Sequence, residues 1–166
     1  MRTISLVVIL VLFFAGCGSP KPAGLPDLIP HQVRIHDNGK PLEKVDISLL
    51  REEGQGAWSM GGITDSSGNA TLRTIFASFE GSGVPVGTYR VILNKSVDYP
   101  PELILTEEQS MKLSPQELVP IENKRKKYEE EHRVLPPLVS DPEKSPITIS
   151  VSKTNEVSDI DVSKHL

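Results

Sequence analysis

The chemistry open to this chain sits in few places. There is one cysteine, Cys17, and there are four histidines in 166 residues. An internal disulfide is excluded, and thiol chemistry has a single address. His31 and His36 invite a metal or general-base reading. Five positions apart on an extended segment, they point to opposite faces. His132 falls in a helix-forming run and His165 at the tail. No two histidines have metal-ligand spacing, and all four read as solvated side chains. Asp65, Ser67 and Asn69 alternate oxygen-bearing groups as calcium loops do. However, Gly68 comes at the fourth position instead of the sixth, and Phe76 stands where a bidentate glutamate belongs, so a turn is the plainer reading. Glu80-Gly81-Ser82-Gly83 lacks the spacing of a serine nucleophile elbow and precedes a strand instead of a helix. No catalytic residue, metal or cofactor is expected.

Cys17 gains meaning from what precedes it. Arg2 supplies a positive charge, and residues 4–14 are apolar apart from Ser5. About 11 residues make roughly 16 Å of helix, whereas a bilayer core needs about 20 residues. Residues 1–16 fit a secretory signal peptide, with Ala15 and Gly16 as the small residues at the cut. Phe14-Ala15-Gly16-Cys17 resembles the lipobox of bacterial lipoproteins, with Phe14 where leucine is usual. The resemblance implies a diacylglyceryl group on the Cys17 thiol. It also implies cleavage between Gly16 and Cys17 and acylation of the new amine by a fatty acid such as palmitate. Two or three acyl chains, at about 0.8 kcal/mol per buried CH₂, hold a protein on a membrane where one is marginal. Residues 18–26, GSPKPAGLP, read as a flexible tether, which runs from Cys17 to residue 28. Neither Gly18 nor Ser19 is acidic. By resemblance to sorting in diderm bacteria, this points to the outer membrane, facing the periplasm or the surface.

The elements that would position any site follow from residue 29 onward. The chain carries 22 acidic against 18 basic residues, and no nucleic-acid partner is expected without a clustered basic surface. Aromatic residues are few, so the core must come from Val, Ile and Leu. Fourteen prolines and 12 glycines suit short strands joined by turns. Residues 31–36 place Val33 and Ile35 on one face, a period-two strand. Asn38-Gly39 is a hairpin signal, leading to an antiparallel second strand over 43–50 with Val45, Ile47 and Leu49 inward. A weaker strand over 57–64 contains Gly61-Gly62, a sign of a bulge or close backbone approach. Residues 69–76 form a fourth strand, with Ala70, Leu72 and Thr74 on one side. Residues 78–87 read as a loop, and 88–94 as a fifth strand with Tyr89, Val91 and Leu93 inward. The period then changes. Thr106 and Gln109, then Ser114 and Glu117, have capping-box spacing, and a helical insertion is predicted over about 107–133. Pro120 should kink or restart that helix. Leu118, Ile121 and Tyr128 should pack it on the strands. Lys124 to Lys127 could touch anionic lipid, but acids follow at once and a solvated face is plainer. Residues 147–151 and 157–162 complete seven strands. The expected fold is all-β, a seven-stranded antiparallel β-sandwich with the helical insertion before its last two strands.

"NGKPLEKVDISL", "GGITDSSGNATL" and "GVPVGTYRVIL" come in that order. They resemble the turn signatures of carboxypeptidase-regulatory-like, transthyretin-like sandwich modules, which in some small bacterial lipoproteins follow a lipobox directly. "VSDPEKSPITISV" resembles the ending seen there. The match covers about residues 29–163. Lys44 departs from a position usually small, and Asn69-Ala70-Thr71 lacks the usual aromatic. The resemblance implies a binding or structural module without catalytic activity, since fold alone does not carry function. The purine-breakdown hydrolases of the transthyretin-like group end in Tyr-Arg-Gly-Ser, whereas this chain ends in Ser163-Lys164-His165-Leu166. The partners expected are a membrane, through Cys17, and a protein or glycan of the cell envelope. Two further readings are an envelope hydrolase with an unrecognised site and a carbohydrate-binding module. The latter would need exposed aromatics from Trp58, Tyr99 or Tyr128. Trp58 reads as core.

Overall fold

Alternation decides which side of each strand is wet. In the computed structural model, which describes residues 21–51, 58–154 and 157–165, Val33 and Ile35 are fully buried while Gln32 and Arg34 face solvent. The same parity buries Ile47 and Leu49, and it buries Tyr89, Val91 and Leu93. The strands are β1 (Leu28–Ile29), β2 (Gln32–Asp37), β3 (Lys40–Pro41), β4 (Asp46–Arg51), β5 (Ser59–Ile63) and β6 (Asn69–Thr71). They continue as β7 (Arg73–Phe76), β8 (Phe79–Ser82), β9 (Val84–Pro85) and β10 (Gly87–Asn94). Helices α1 (Glu107–Lys112) and α2 (Pro115–His132) precede β11 (Thr148–Val151) and β12 (Val157–Asp161).

The larger sheet is antiparallel throughout, in the order β11-β10-β4-β5-β7-β8. The smaller runs β12-β2-β3, with β6 also paired to β2. Val33, Ile35, Ala70 and Ile160 of the smaller sheet share one core cluster with Ile47, Leu49, Tyr89, Val91 and Ile149 of the larger. The chain is therefore mostly β, with predominantly antiparallel sheets and a helical excursion, an architecture consistent with a sandwich.

Several expectations need correction. The Asn38-Gly39 turn forms, with φ of 48° and 82°, but it pairs β2 only with the two residues of β3. The 46–51 strand belongs to the opposite sheet. Residues 69–76 are two strands, β6 on β2 and β7 on β5. The chain changes sheets at the fully buried Leu72, whose N–H donates to His31 O at 3.0 Å and whose carbonyl accepts from Gly83 N at 2.9 Å. Part of the expected 78–87 loop is strand, β8 and β9. Twelve short strands among the described residues stand where seven were expected: β1, β3, β8 and β9 are additional short strands, and 69–76 divides into β6 and β7 where the chain changes sheets. The smaller sheet is not wholly antiparallel, since β12 lies parallel to β2. Parallel neighbours need a long crossover, and the chain between β2 and β12 supplies one. The folded region also begins before residue 29. Leu25 of the expected tether is 5% exposed, and β1 pairs with β9.

Both capping boxes form, with Gln109 N bonded to Thr106 Oγ1 at 3.2 Å and Ser114 N to Glu117 Oε2 at 2.8 Å. Helix α2 runs through Pro120 instead of restarting at it, since only the Gln116 carbonyl loses its helical partner. No residue of α2 is fully buried. Leu118, Ile121, Arg125 and Tyr128 are half-buried along one helical stripe, which docks on the segment leaving β10. Arg125 Nε donates to Leu103 O at 2.7 Å, its guanidinium lies 5.6 Å from the Tyr99 ring, and Tyr99 meets Tyr128 at 6.1 Å.

Candidate functional site

The outer face of the larger sheet is half covered. At its β10 end, Arg90 Nη1 donates to the Pro142 and Glu143 carbonyls at 3.2 and 2.9 Å. Ile92, on the same face, is 5% exposed. The β4–β5–β7–β8 half is open. It forms a cleft of about 600 Å³ lined by Asp46, Ser48, Gly61, Ile63, Arg73 and Ile75 among others. Register explains its shape. Gly61 lies between Ser48 on β4 and Arg73 on β7, so the centre of this face carries no side chain. On either side, Ile63 is 67% and Ile75 50% exposed.

Gly61 is required by the close approach of β4, because a Cβ there would overlap the Ile47 carbonyl oxygen. The rim is polar. Arg73 Nη1 pairs with Glu80 Oε1 at 2.6 Å. Asp65 Oδ1 accepts from Ser67 N at 2.8 Å and Asn69 N at 3.0 Å, an Asx turn. The Asp65-Ser67-Asn69 pattern is therefore turn chemistry. Behind it, Thr64 is buried, with its hydroxyl accepting from Val45 N at 2.8 Å and donating to Leu42 O at 2.7 Å. Sequence reasoning noticed Gly61-Gly62 but missed the cleft. The available signal was Ile63 and Ile75 at outward parity.

The histidines do fall on opposite faces, but two of them are not solvated. His31 shares the inward face of Val33 and Ile35, is 2% exposed, and bonds Ser158 Oγ at 2.9 Å. His36 faces out between two carboxylates of β12. Its Nε2 lies 3.1 Å from Asp159 Oδ2, and its Nδ1 lies 3.6 Å from Asp161 Oδ1. Gly39 N donates to His36 Nδ1 at 3.1 Å, which places the proton on Nε2 in the neutral ring. Asp161 also accepts from Ser163 Oγ at 2.7 Å and Asn38 N at 3.1 Å. The Ser163 hydroxyl, then the backbone donors and His36, hold its carboxyl below the usual carboxylate range. The reason sequence missed this is the parallel strand β12, which brings Asp159 to His36 from 123 residues away. His132 stacks on Tyr128 at 3.8 Å, and His165 lies in the short 3-10 helix Val162–His165. Among the described residues, no group of three or more His, Cys, Asp or Glu could hold a metal.

Trp58 is partly buried against the core, and Tyr99 and Tyr128 pack on each other. Gly16, Cys17 and the signal segment lie outside the described residues. No helix among the described residues is long and apolar enough to cross a membrane. No family model, curated protein or solved structure matches the chain.

Proposed function

We propose that this is a lipid-anchored protein of the bacterial envelope, probing its surroundings as a non-catalytic binding or structural module. The signal of residues 1–16 would be removed and Cys17 lipidated, with the β domain carried at the outer membrane and facing the periplasm or surface. We take its sandwich to be of the carboxypeptidase-regulatory-like, transthyretin-like kind. Lys44 remains a departure from that kind, although its φ of 55° is a backbone state that favours glycine.

The observation that carries the reading is the position of Cys17. The one cysteine of the chain falls where an apolar run too short to span a bilayer ends in small residues. Leu25 is already buried, only eight positions after Cys17 in the sequence, so the domain would stand close to the lipid. The sheet-face cleft is its binding surface in this reading.

The test is metabolic labelling with an alkynyl fatty acid in a bacterial host, followed by mass analysis of the N-terminal peptide. Label on the wild type and none on Cys17→Ser supports the anchor. Unlabelled wild type, or equal membrane recovery of Cys17→Ser, overturns it. Crosslinking in intact cells, with the same variant as control, then recovers the partner.

A further inference from the structure

Binding reactions on a sheet face are selected by what the face lacks as much as by what it presents. The cleft over β4–β5–β7–β8 has a bare floor at Gly61 and two exposed isoleucines beside it. None of its lining residues is aromatic, so a sugar ring has nothing to stack on there. Three carboxylates line it, Asp46, Asp65 and Glu80, against one guanidinium, Arg73. Arg73 is already held by Glu80. Among the described residues, neither Asp46 nor Asp65 is in an ion pair. Both bonds accepted by Asp65 use Oδ1, so the lone pairs of Oδ2 are left over.

We propose that the cleft takes an extended basic segment of a partner protein. This rests on reading the chain as a binding module and names the partner for that site. A lysine or arginine side chain suits the cleft as a whole. Its aliphatic stem covers the Gly61 floor between Ile63 and Ile75, and its cation reaches the carboxylates at the rim. An acidic segment would meet uncompensated negative charge. The volume of about 600 Å³ holds a few residues, so affinity should be modest and salt-dependent.

The probe is a fluorescein-labelled pentapeptide of alternating lysine and leucine, read by anisotropy with the full chain in non-ionic detergent. Its glutamate–leucine counterpart and a neutral oligosaccharide serve as comparisons. The lysine peptide should bind, and Asp46→Asn and Ile75→Ser should each weaken it about fivefold. Glu102→Gln, at an exposed acid outside the cleft lining, should leave it unchanged. Trp58 fluorescence checks that each variant is folded. Failure of the lysine peptide to bind, equal binding of the acidic peptide, or indifference to both cleft variants overturns the proposal. If the oligosaccharide binds instead and Ile75→Ser weakens it, the basic-segment proposal fails while the cleft remains a binding surface. Failure of fatty-acid labelling would count against the anchor alone.

Discussion

Thr64→Val isolates one buried hydroxyl. Valine keeps the shape, so no cavity opens, but Val45 N–H and Leu42 C=O lose the oxygen that now bonds both at 2.8 and 2.7 Å. Leu42 is 7% and Val45 0% exposed, so water reaches them poorly. Each buried group left without a partner costs about 1–3 kcal/mol. The pair should therefore cost about 2–6 kcal/mol, a large part of a domain stability of about 5–15 kcal/mol. Thr64→Ser keeps the hydroxyl and loses one methyl, which costs about 1 kcal/mol. The assay is urea unfolding followed by fluorescence of Trp58, the single tryptophan, which is partly buried against the core. With a slope of about 2 kcal/mol/M, a loss of 3 kcal/mol moves the midpoint down by about 1.5 M. A Thr64→Val midpoint no lower than that of Thr64→Ser would refute the argument. It would show that the hydroxyl does not hold the β4–β5 end of the cleft.

Gly61→Ala should destabilise by at least about 2 kcal/mol, because the new methyl meets the β4 backbone instead of a side chain that can move. Unchanged urea midpoints would contradict the close approach. Lys44→Gly should stabilise by about 0.5–1 kcal/mol by relieving a φ of 55°, read in the same assay. Asp161→Asn tests the clamp between β12 and the β2–β3 turn. The Asp161 carboxyl is held below its ordinary value near 3.8. Its stabilising effect is therefore present above that value and lost as pH falls through the folded-state one. The urea midpoints of wild type and Asp161→Asn should differ at pH 7 and converge in acid. A gap that stays constant with pH would sink the electrostatic account.

Local chemistry was legible without a structure where neighbours in sequence settle it. Period-two alternation identified Val33, Ile35, Tyr89, Val91 and Leu93 as core, because strand parity needs no knowledge of the partner strand. The capping boxes at Thr106 and Ser114 were legible for the same reason, since donor and acceptor lie three residues apart. Asn38-Gly39 specifies a turn but not a hairpin between long strands. The turn dictates its own dihedrals and not how far pairing continues beyond β3.

By itself, then, the sequence determined strand parity, helix ends, turn positions and a lone cysteine at the end of a short apolar run. Only the tertiary structure decided which strands are neighbours. Ala70 and Thr74 fall in different sheets because the chain crosses at Leu72. His36 meets Asp159 and Asp161 because β12 returns in parallel. Gly61 becomes the floor of a cleft only once Ser48 and Arg73 flank it. The physical reason is that hydrogen bonding within a turn depends on residues a few positions apart, whereas sheet order depends on which apolar faces can be buried together. That is a property of the whole chain at once.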